Sequence, residues 1–267
     1  MKVLCTTDFS NASLDACRWI VQMLRDREDA HLELLHCMNI VSRALVFTKV
    51  NDVFKKFAEK DINALKSELQ PLAPALKITT RLARLDPKSF ITKYAEREGF
   101  ELIVTGTKGL SALKEVTVGS VTAHVMNQTD IPVLVIPEEI NYQGLRKVVL
   151  GIDADGESAL TLAPLVRMLE GTQAKLEVIH AEVPELVPAG DLADNLLPLG
   201  NLNYTFQMVP EERSVPDTLT NYSADHQADM MVMVHRKRKF LERLFVGSYT
   251  REELFIIQTP LLILPQV

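Results

Sequence analysis

Asp8 closes the short apolar run KVLCTT and is followed by Phe9, Ser10 and Asn11. Far along the chain, the stretch GTKGLSALKEVTVGS holds a second group of chemically useful residues. It reads Gly, two residues, Gly, nine residues, Gly, Ser, which places Gly106, Gly109, Gly119 and Ser120. Gly106 and Gly109 allow a backbone turn with positive φ and close approach to a ligand that a side chain would block. Gly119 and Ser120 open the helical run SVTAHVMNQT. Free N–H groups at a helix start, joined by the hydroxyls of Ser120 and Thr122, make an anion site suited to phosphate. The spacing is neither the GxGxxG dinucleotide fingerprint nor the GxxxxGK[ST] P-loop. On spacing alone two readings stand equal: a phosphate cradle, or glycines that merely cap a strand and start a helix.

Other reactive side chains point more weakly. Cys5, Cys17 and Cys37 form no CxxC pair and leave an odd count for any disulfide scheme, so they read as reduced packing thiols. His235 stands at a strand end with no cysteine or carboxylate cluster at metal spacing nearby. His36 and His180 recur at matching places and read as packing or hydrogen-bonding residues. The basic run Arg236, Lys237, Arg238, Lys239 and Arg243 reads as a solvated loop and helix face more readily than as a site for an anionic ligand or an acidic partner. Met230, Met231 and Met233 read as core.

The elements that must position these residues come in two copies. KVLCTTDFSNASLDACRWIVQML returns as KVVLGIDADGESALTLAPLVRML, with Asp8 matching Asp153 at an offset of 145 residues. HLELLHC returns as KLEVIHA, with His36 matching His180 at an offset of 144. The halves close alike, VMNQTDIPVLVIP against FIIQTPLLILP, with Pro132 matching Pro260 and Pro137 matching Pro265, both at 128. In the first half the strands fall near 2–7, 31–37, 76–83, 101–106 and 132–136, short apolar runs separated by helical periodicity. That alternation predicts an α/β fold with two doubly wound open parallel sheets, flavodoxin- or Rossmann-like. The polar linker PEEINYQGLR puts the boundary near residue 140, giving domains 1–140 and 141–267. The second half has a shortened, proline-rich crossover, EVPELVPAGDLADNLLPLGN, where irregular structure is expected.

The net charge of −6 argues against nucleic acid or an anionic membrane as the main partner. The longest apolar runs, PVLVIP and PLLILP, are too short to span a membrane, and the N-terminus has too short an apolar stretch for a signal peptide. The expected location is the cytoplasm.

The glycine pattern, flanked by FELIVTGTKG and GSVTAHVMNQTDIPVLVIP, resembles the nucleotide-binding signature of the universal stress protein family. KVLCTTDFS and LELLHC resemble that family's first two strands, and the likeness covers essentially the whole chain as a tandem. The resemblance implies strand order 3-2-1-4-5 in each domain and ATP or AMP as ligand, with or without Mg²⁺. It places Asp8 by the adenosine, Cys37 near the adenine pocket, and Thr105 and Gly106 at the ribose. Gly109, Gly119, Ser120, Val121 and Thr122 then hold the phosphates. One departure is Thr6, where the family often has proline. The resemblance also implies an internal pseudo-dimer through PVLVIP and PLLILP, which would otherwise be exposed apolar edges, and a homodimer of chains.

In the second copy His235 replaces Gly106 and Arg238 replaces Gly109, while Gly247 and Ser248 survive. Side chains at both turn positions fill the room for phosphate, so nucleotide binding is expected in the first domain alone. The sequence thus reads as a nucleotide-responsive stress regulator. Two alternatives stand beside it. One is slow ATP hydrolysis at the same site, with Lys108 and Lys114 supplying positive charge; the other is a nucleotide-independent adaptor.

Overall fold

The computed structural model describes residues 1–38, 48–107, 119–152, 157–182, 199–212, 214–235 and 257–266. Two compact units divide the chain, the main change falling between Tyr142 and Gln143.

The first unit begins with β1 (Lys2–Thr6) and α1 (Asn11–Met23), followed by β2 (His31–Cys37), α2 (Thr48–Leu69), β3 (Lys77–Ala83) and α3 (Pro87–Arg97). Then come β4 (Leu102–Gly106), α4 (Ser120–Gln128) and β5 (Val133–Ile136). The strands lie in the order β3-β2-β1-β4-β5, and the pairings of β1 with β2 and β4, and of β2 with β3, are parallel. These are the strands read from the sequence, each end within about one residue, which is ordinary boundary scatter. The inner runs of β1, β4 and β5 are nearly unbroken and apolar because helices cover both faces: Val3, Leu4, Cys5, Ile103 and Val104 are completely buried.

Local signals start the helices. Ser10 caps α1 by accepting from the Ser13 N–H, and Ala12, Ala16, Ile20 and the other apolar residues at helical spacing turn to the sheet. Asp86 caps α3, accepting from the Ser89 N–H at 3.0 Å, with Pro87 in the first turn. The linker rests on α1: the Glu139 N–H donates to Asp15 Oδ2 at 2.9 Å. Tyr142 meets Trp19 edge to face, ring centroids 4.9 Å apart.

The second unit holds β6 (Lys147–Gly151), α5 (Ala159–Leu169), β7 (Lys175–Glu182), β8 (Tyr204–Pro210), α6 (Val215–Asp225), β9 (Met230–His235) and β10 (Leu261–Pro265). Its order, β8-β7-β6-β9-β10, is the same 3-2-1-4-5 arrangement, all parallel. Met230, Met231 and Met233 are core residues of β9. Most of the proline-rich crossover, residues 183–198, lies outside the described residues, as do the basic run 236–243, Asp153, Gly247 and Ser248.

Candidate functional site at the switch point of the first sheet

In an open parallel sheet the connections leave in opposite directions from the two strands at which the order reverses, and a crevice opens between their carboxyl ends. Here those strands are β1 and β4. Their register, Val3 beside Leu102 and Cys5 beside Val104, brings the loops that follow Thr6 and Gly106 out side by side. Asp8, Thr105, Gly106, Gly119, Ser120, Val121 and Thr122 all belong to these two strand ends or to the helix starts beyond them. Cys37 ends β2, the next strand. Gly109 lies outside the described residues.

Hydrogen bonds fix the β1–α1 loop from inside. Asp8 Oδ1 accepts from the Ser10 N–H at 3.1 Å and the Ser10 hydroxyl at 2.6 Å. The Phe9 N–H donates to Thr7 Oγ1 at 3.0 Å, and that oxygen lies 3.0 Å from Ser13 Oγ. Across to β2, Thr7 N–H donates to Leu35 O, and His36 Nδ1 lies 2.8 Å from Thr7 O. A carbonyl only accepts, so Nδ1 carries the proton. The second unit repeats both bonds: Ile152 N–H to Leu35's counterpart, the Ile179 carbonyl, and His180 Nδ1 to Ile152 O at 3.1 Å. The paired histidines are ties between the first two strands, as their repetition suggests.

The β4–α4 side is braced too, in a way that departs from expectation at two residues. Gly106 does not use its freedom for positive φ. It lies in β4, and a Cβ built on it would stand 2.6 Å from Ala12 O and 2.9 Å from Ser13 N. The missing side chain admits the backbone of α1. Thr122 is 4 % exposed, and its hydroxyl donates to Gly106 O at 3.0 Å while lying 3.0 Å from Thr105 Oγ1. With its one proton directed at the Gly106 carbonyl, that hydroxyl pins the loop to α4.

What faces outward is the start of α4. Gly119 is its N-cap, in an extended conformation with no side-chain cap, and its own N–H donates to Thr107 O. The first intrahelical bond runs from Ala123 N–H to Gly119 O, so the N–H groups of Ser120, Val121 and Thr122 have no acceptor within the helix. Ser120 is exposed and Val121 half-buried. Thr107, which the sequence did not single out, is 1 % exposed, and its hydroxyl has no partner among the described residues. A helix end with bare amides and an unspent buried hydroxyl alongside fits an anionic group.

At the other end, the Cys37 thiol is half-buried and pushed up to about 12, by burial first and by Asp86 second. It presents a neutral S–H at ordinary pH. Cys5 and Cys17 are free thiols in the core with sulfurs 3.4 Å apart. Where the family often has proline, Thr6 donates its hydroxyl to Val104 O at 3.3 Å, a cross-strand bond between β1 and β4.

In the second unit His235 ends β9 where Gly106 ends β4. It is 8 % exposed, and its Nδ1 is buried without a partner among the described residues. Burial lowers its pKa from the ordinary imidazole value.

Known proteins resemble this chain in sequence and in fold. The profile of the Universal stress protein family matches residues 1–137. A universal stress protein of Methanocaldococcus jannaschii is 28% identical over 154 residues, covering 51% of this chain and 93% of its own. The universal stress protein YxiE of Bacillus subtilis is 30% identical over 145 residues, covering 51% of this chain and 97% of its own. Among solved structures, a universal stress protein from Archaeoglobus fulgidus superposes with a TM-score of 0.77 at 17% identity, over 99% of this chain and 96% of that one. That last likeness is one of fold.

Proposed function

The chain belongs to the universal stress protein family, and on that premise we propose that its first unit binds an adenine nucleotide, ATP or AMP, at the β1–β4 switch point. The nucleotide then biases which partner a stress regulator engages. The observation that carries this reading is the start of α4: a glycine N-cap without a side chain, exposing the first-turn amides beside the buried Thr107 hydroxyl. Phosphates would sit on Gly109, Gly119, Ser120 and Val121, with Thr105, Gly106 and Thr122 bracing the loop. Asp8 and Cys37 would meet the nucleoside. In the second unit His235 stands where the first has Gly106, which supports a single site per chain.

Binding, not turnover, is the activity we assign; Lys108 and Lys114, the cations that hydrolysis would use, lie outside the described residues. Mg²⁺ enters only as a counter-ion of the polyphosphate: among the described residues no group of three or more His, Cys, Asp or Glu is assembled to hold a metal. From the family resemblance and the apolar edge strands we also propose that the halves dock through PVLVIP and PLLILP, and that chains pair as homodimers. Analytical ultracentrifugation of the full chain tests the second point.

Gly119→Asp tests the site. Aspartate is at least as good an N-cap as glycine, so α4 and the fold persist, while a carboxylate occupies the place of phosphate. Calorimetric titration of the wild type with ATP should show one site per chain, and the variant should bind at least about tenfold more weakly. A folded wild type silent at millimolar ATP, or a variant that binds as the wild type does, refutes the proposal.

A further inference from the structure

We propose that Phe9 is a base-stacking residue of this crevice, held in place by the ring of His36, so that the site ranks nucleotides by the stacking area of their base. The inference rests on the nucleotide reading above and adds a residue and a selectivity to it.

Its first support is backbone conformation. Phe9 has φ of 64°, in the left-handed region where a Cβ crowds the following carbonyl. Among the described residues two other non-glycine residues share positive φ. Gln227 follows the cap of α6, an ordinary place for such a residue, and Glu139 lies in the polar linker. Both are exposed and polar. Phe9 is half-buried, aromatic, and at the carboxyl end of the central strand. Glycine or asparagine would make this turn at lower cost.

The surrounding bonds hold the backbone in that conformation. The Phe9 N–H is bound to Thr7 Oγ1, and the next residue is bound twice by Asp8 Oδ1. The ring centroid lies 4.6 Å from that of His36, at an interplanar angle of 38°. His36 is itself fixed through Nδ1 to the Thr7 carbonyl. An aromatic pair thus forms from the residues next in the chain to Asp8, which precedes Phe9, and to Cys37, which follows His36. Those are the two residues assigned to the nucleoside.

The repeat supplies an independent comparison. At the same offset of 145 that relates Asp8 to Asp153, Phe9 corresponds to Ala154. The half whose glycine pattern is intact carries the aromatic residue, and the half with His235 and Arg238 does not. A turn that needed only its backbone shape would not require a phenyl ring in one copy. A π face accepts any base, without reading its hydrogen-bonding edge, and purines offer more area than pyrimidines.

The experiment uses the full chain and three probes, ATP, CTP and inorganic tripolyphosphate, titrated calorimetrically into wild type, Phe9→Gly and Phe9→Tyr. Glycine accepts the positive φ, and the fluorescence of Trp19, buried in α1, reports that the first unit remains folded. Phe9→Gly should weaken ATP about 5- to 150-fold, the range for loss of one stacked base. It should leave tripolyphosphate unchanged and shrink the preference of ATP over CTP; Phe9→Tyr should restore both. Phe9→Gly binding ATP like the wild type overturns the inference, and so does a parallel loss of tripolyphosphate, which would mean that Phe9 only shapes the loop. If Gly119→Asp abolishes ATP binding while Phe9→Gly does not, the nucleotide reading stands and this inference alone falls. A folded wild type that binds no ATP overturns both.

Discussion

Replacing Gly106 by alanine isolates one physical claim, that this glycine exists to let two backbones touch. The new Cβ would stand 2.6 Å from Ala12 O and 2.7 Å from Ala12 C, whereas ordinary contact begins at 3.4 Å. The shortfall is about 0.8 Å. No side chain can rotate away, because the obstructing atoms are main chain, so β4 or α1 must move. Overpacking of this kind costs about 1–3 kcal/mol, and removing glycine's extra freedom in the unfolded chain returns a part of roughly 0.5–1 kcal/mol. With main-chain atoms on the obstructing side the cost lies at the upper end, about 3 kcal/mol, so a net loss of about 2 kcal/mol is expected. The protein carries its own reporter: its single tryptophan, Trp19, is 2 % exposed in α1, the helix that would be displaced. Urea unfolding followed by its emission should show the midpoint falling by roughly 1 M, with an unchanged slope, and the first unit melting about 6–8 °C lower. An unchanged midpoint would refute the close-approach account and return Gly106 to the role of a turn residue.

Two further outcomes follow from burial. With Cys5 and Cys17 completely buried and the Cys37 thiol pushed up to about 12, native protein at pH 8 should react with a disulfide reagent far more slowly than after denaturation; three thiols titrating at the rate of a free peptide cysteine would contradict the packing. His235 is held neutral by burial, so its folded pKa lies below the ordinary 6.5. Stability is then level above about pH 6.5 and falls as pH drops through that value, where the unfolded chain takes up the proton first. Urea midpoints by circular dichroism at pH 7.5 and 5.5 should differ less in His235→Gln than in wild type; an identical difference would refute the assignment. His31, whose pKa is also lowered, by burial first, contributes to what remains.

Much of this was legible in the sequence because apolar runs in a covered parallel sheet must be short and nearly unbroken, and because every feature could be checked against its copy. The strands, the helix start at Gly119 and the histidine ties came out that way. The role of Gly106 was not legible. A missing Cβ serves a ligand or a neighbouring helix equally well, and nothing in the sequence of α1 says that its Ala12 carbonyl will lie over that strand. Thr107 and Phe9 were passed over for a related reason, since a buried unspent hydroxyl and a strained φ exist only once the loop has closed. One missed feature did have a signal. The Tyr94 hydroxyl donates to Glu33 Oε1 at 2.6 Å, and Tyr222 donates to Glu177 Oε2 at 3.3 Å. Glu33 and Glu177 are 144 apart, and Tyr94 and Tyr222 are 128 apart, the very offsets that relate the strands. In both pairs burial and then the neighbouring glutamate raise the tyrosine pKa, the mark of a bond made in a partly dry place.

The two copies also differ in where glycine admits a neighbour, and that difference bears on why one keeps a candidate site. In the first unit the glycine is Gly106, at the end of β4, and the neighbour is the α1 backbone itself. Bringing α1 that close draws the β1–α1 loop, with Asp8 and Phe9, toward the β4 strand end. Among the described residues of the second unit the glycine in contact is Gly151, at the end of β6, and the atoms nearest a Cβ there belong to the side chain of Leu219, the first 2.5 Å away. That neighbour is a flexible side chain of α6 on a different part of the sheet. The end of β9 is taken by His235, whose imidazole lies under 8 % exposed surface. Opening the second crevice would therefore take more than His235→Gly. Removing the ring leaves a cavity, with a cost that rises with the volume left unfilled, but supplies no force that draws α5 inward as Gly106 admits α1. His235→Gly should lose stability and gain no ATP binding in calorimetry, even in a chain whose first site is disabled by Gly119→Asp. Recovery of ATP binding in that double variant would show that a single side chain, not the seating of a helix, separates the two halves.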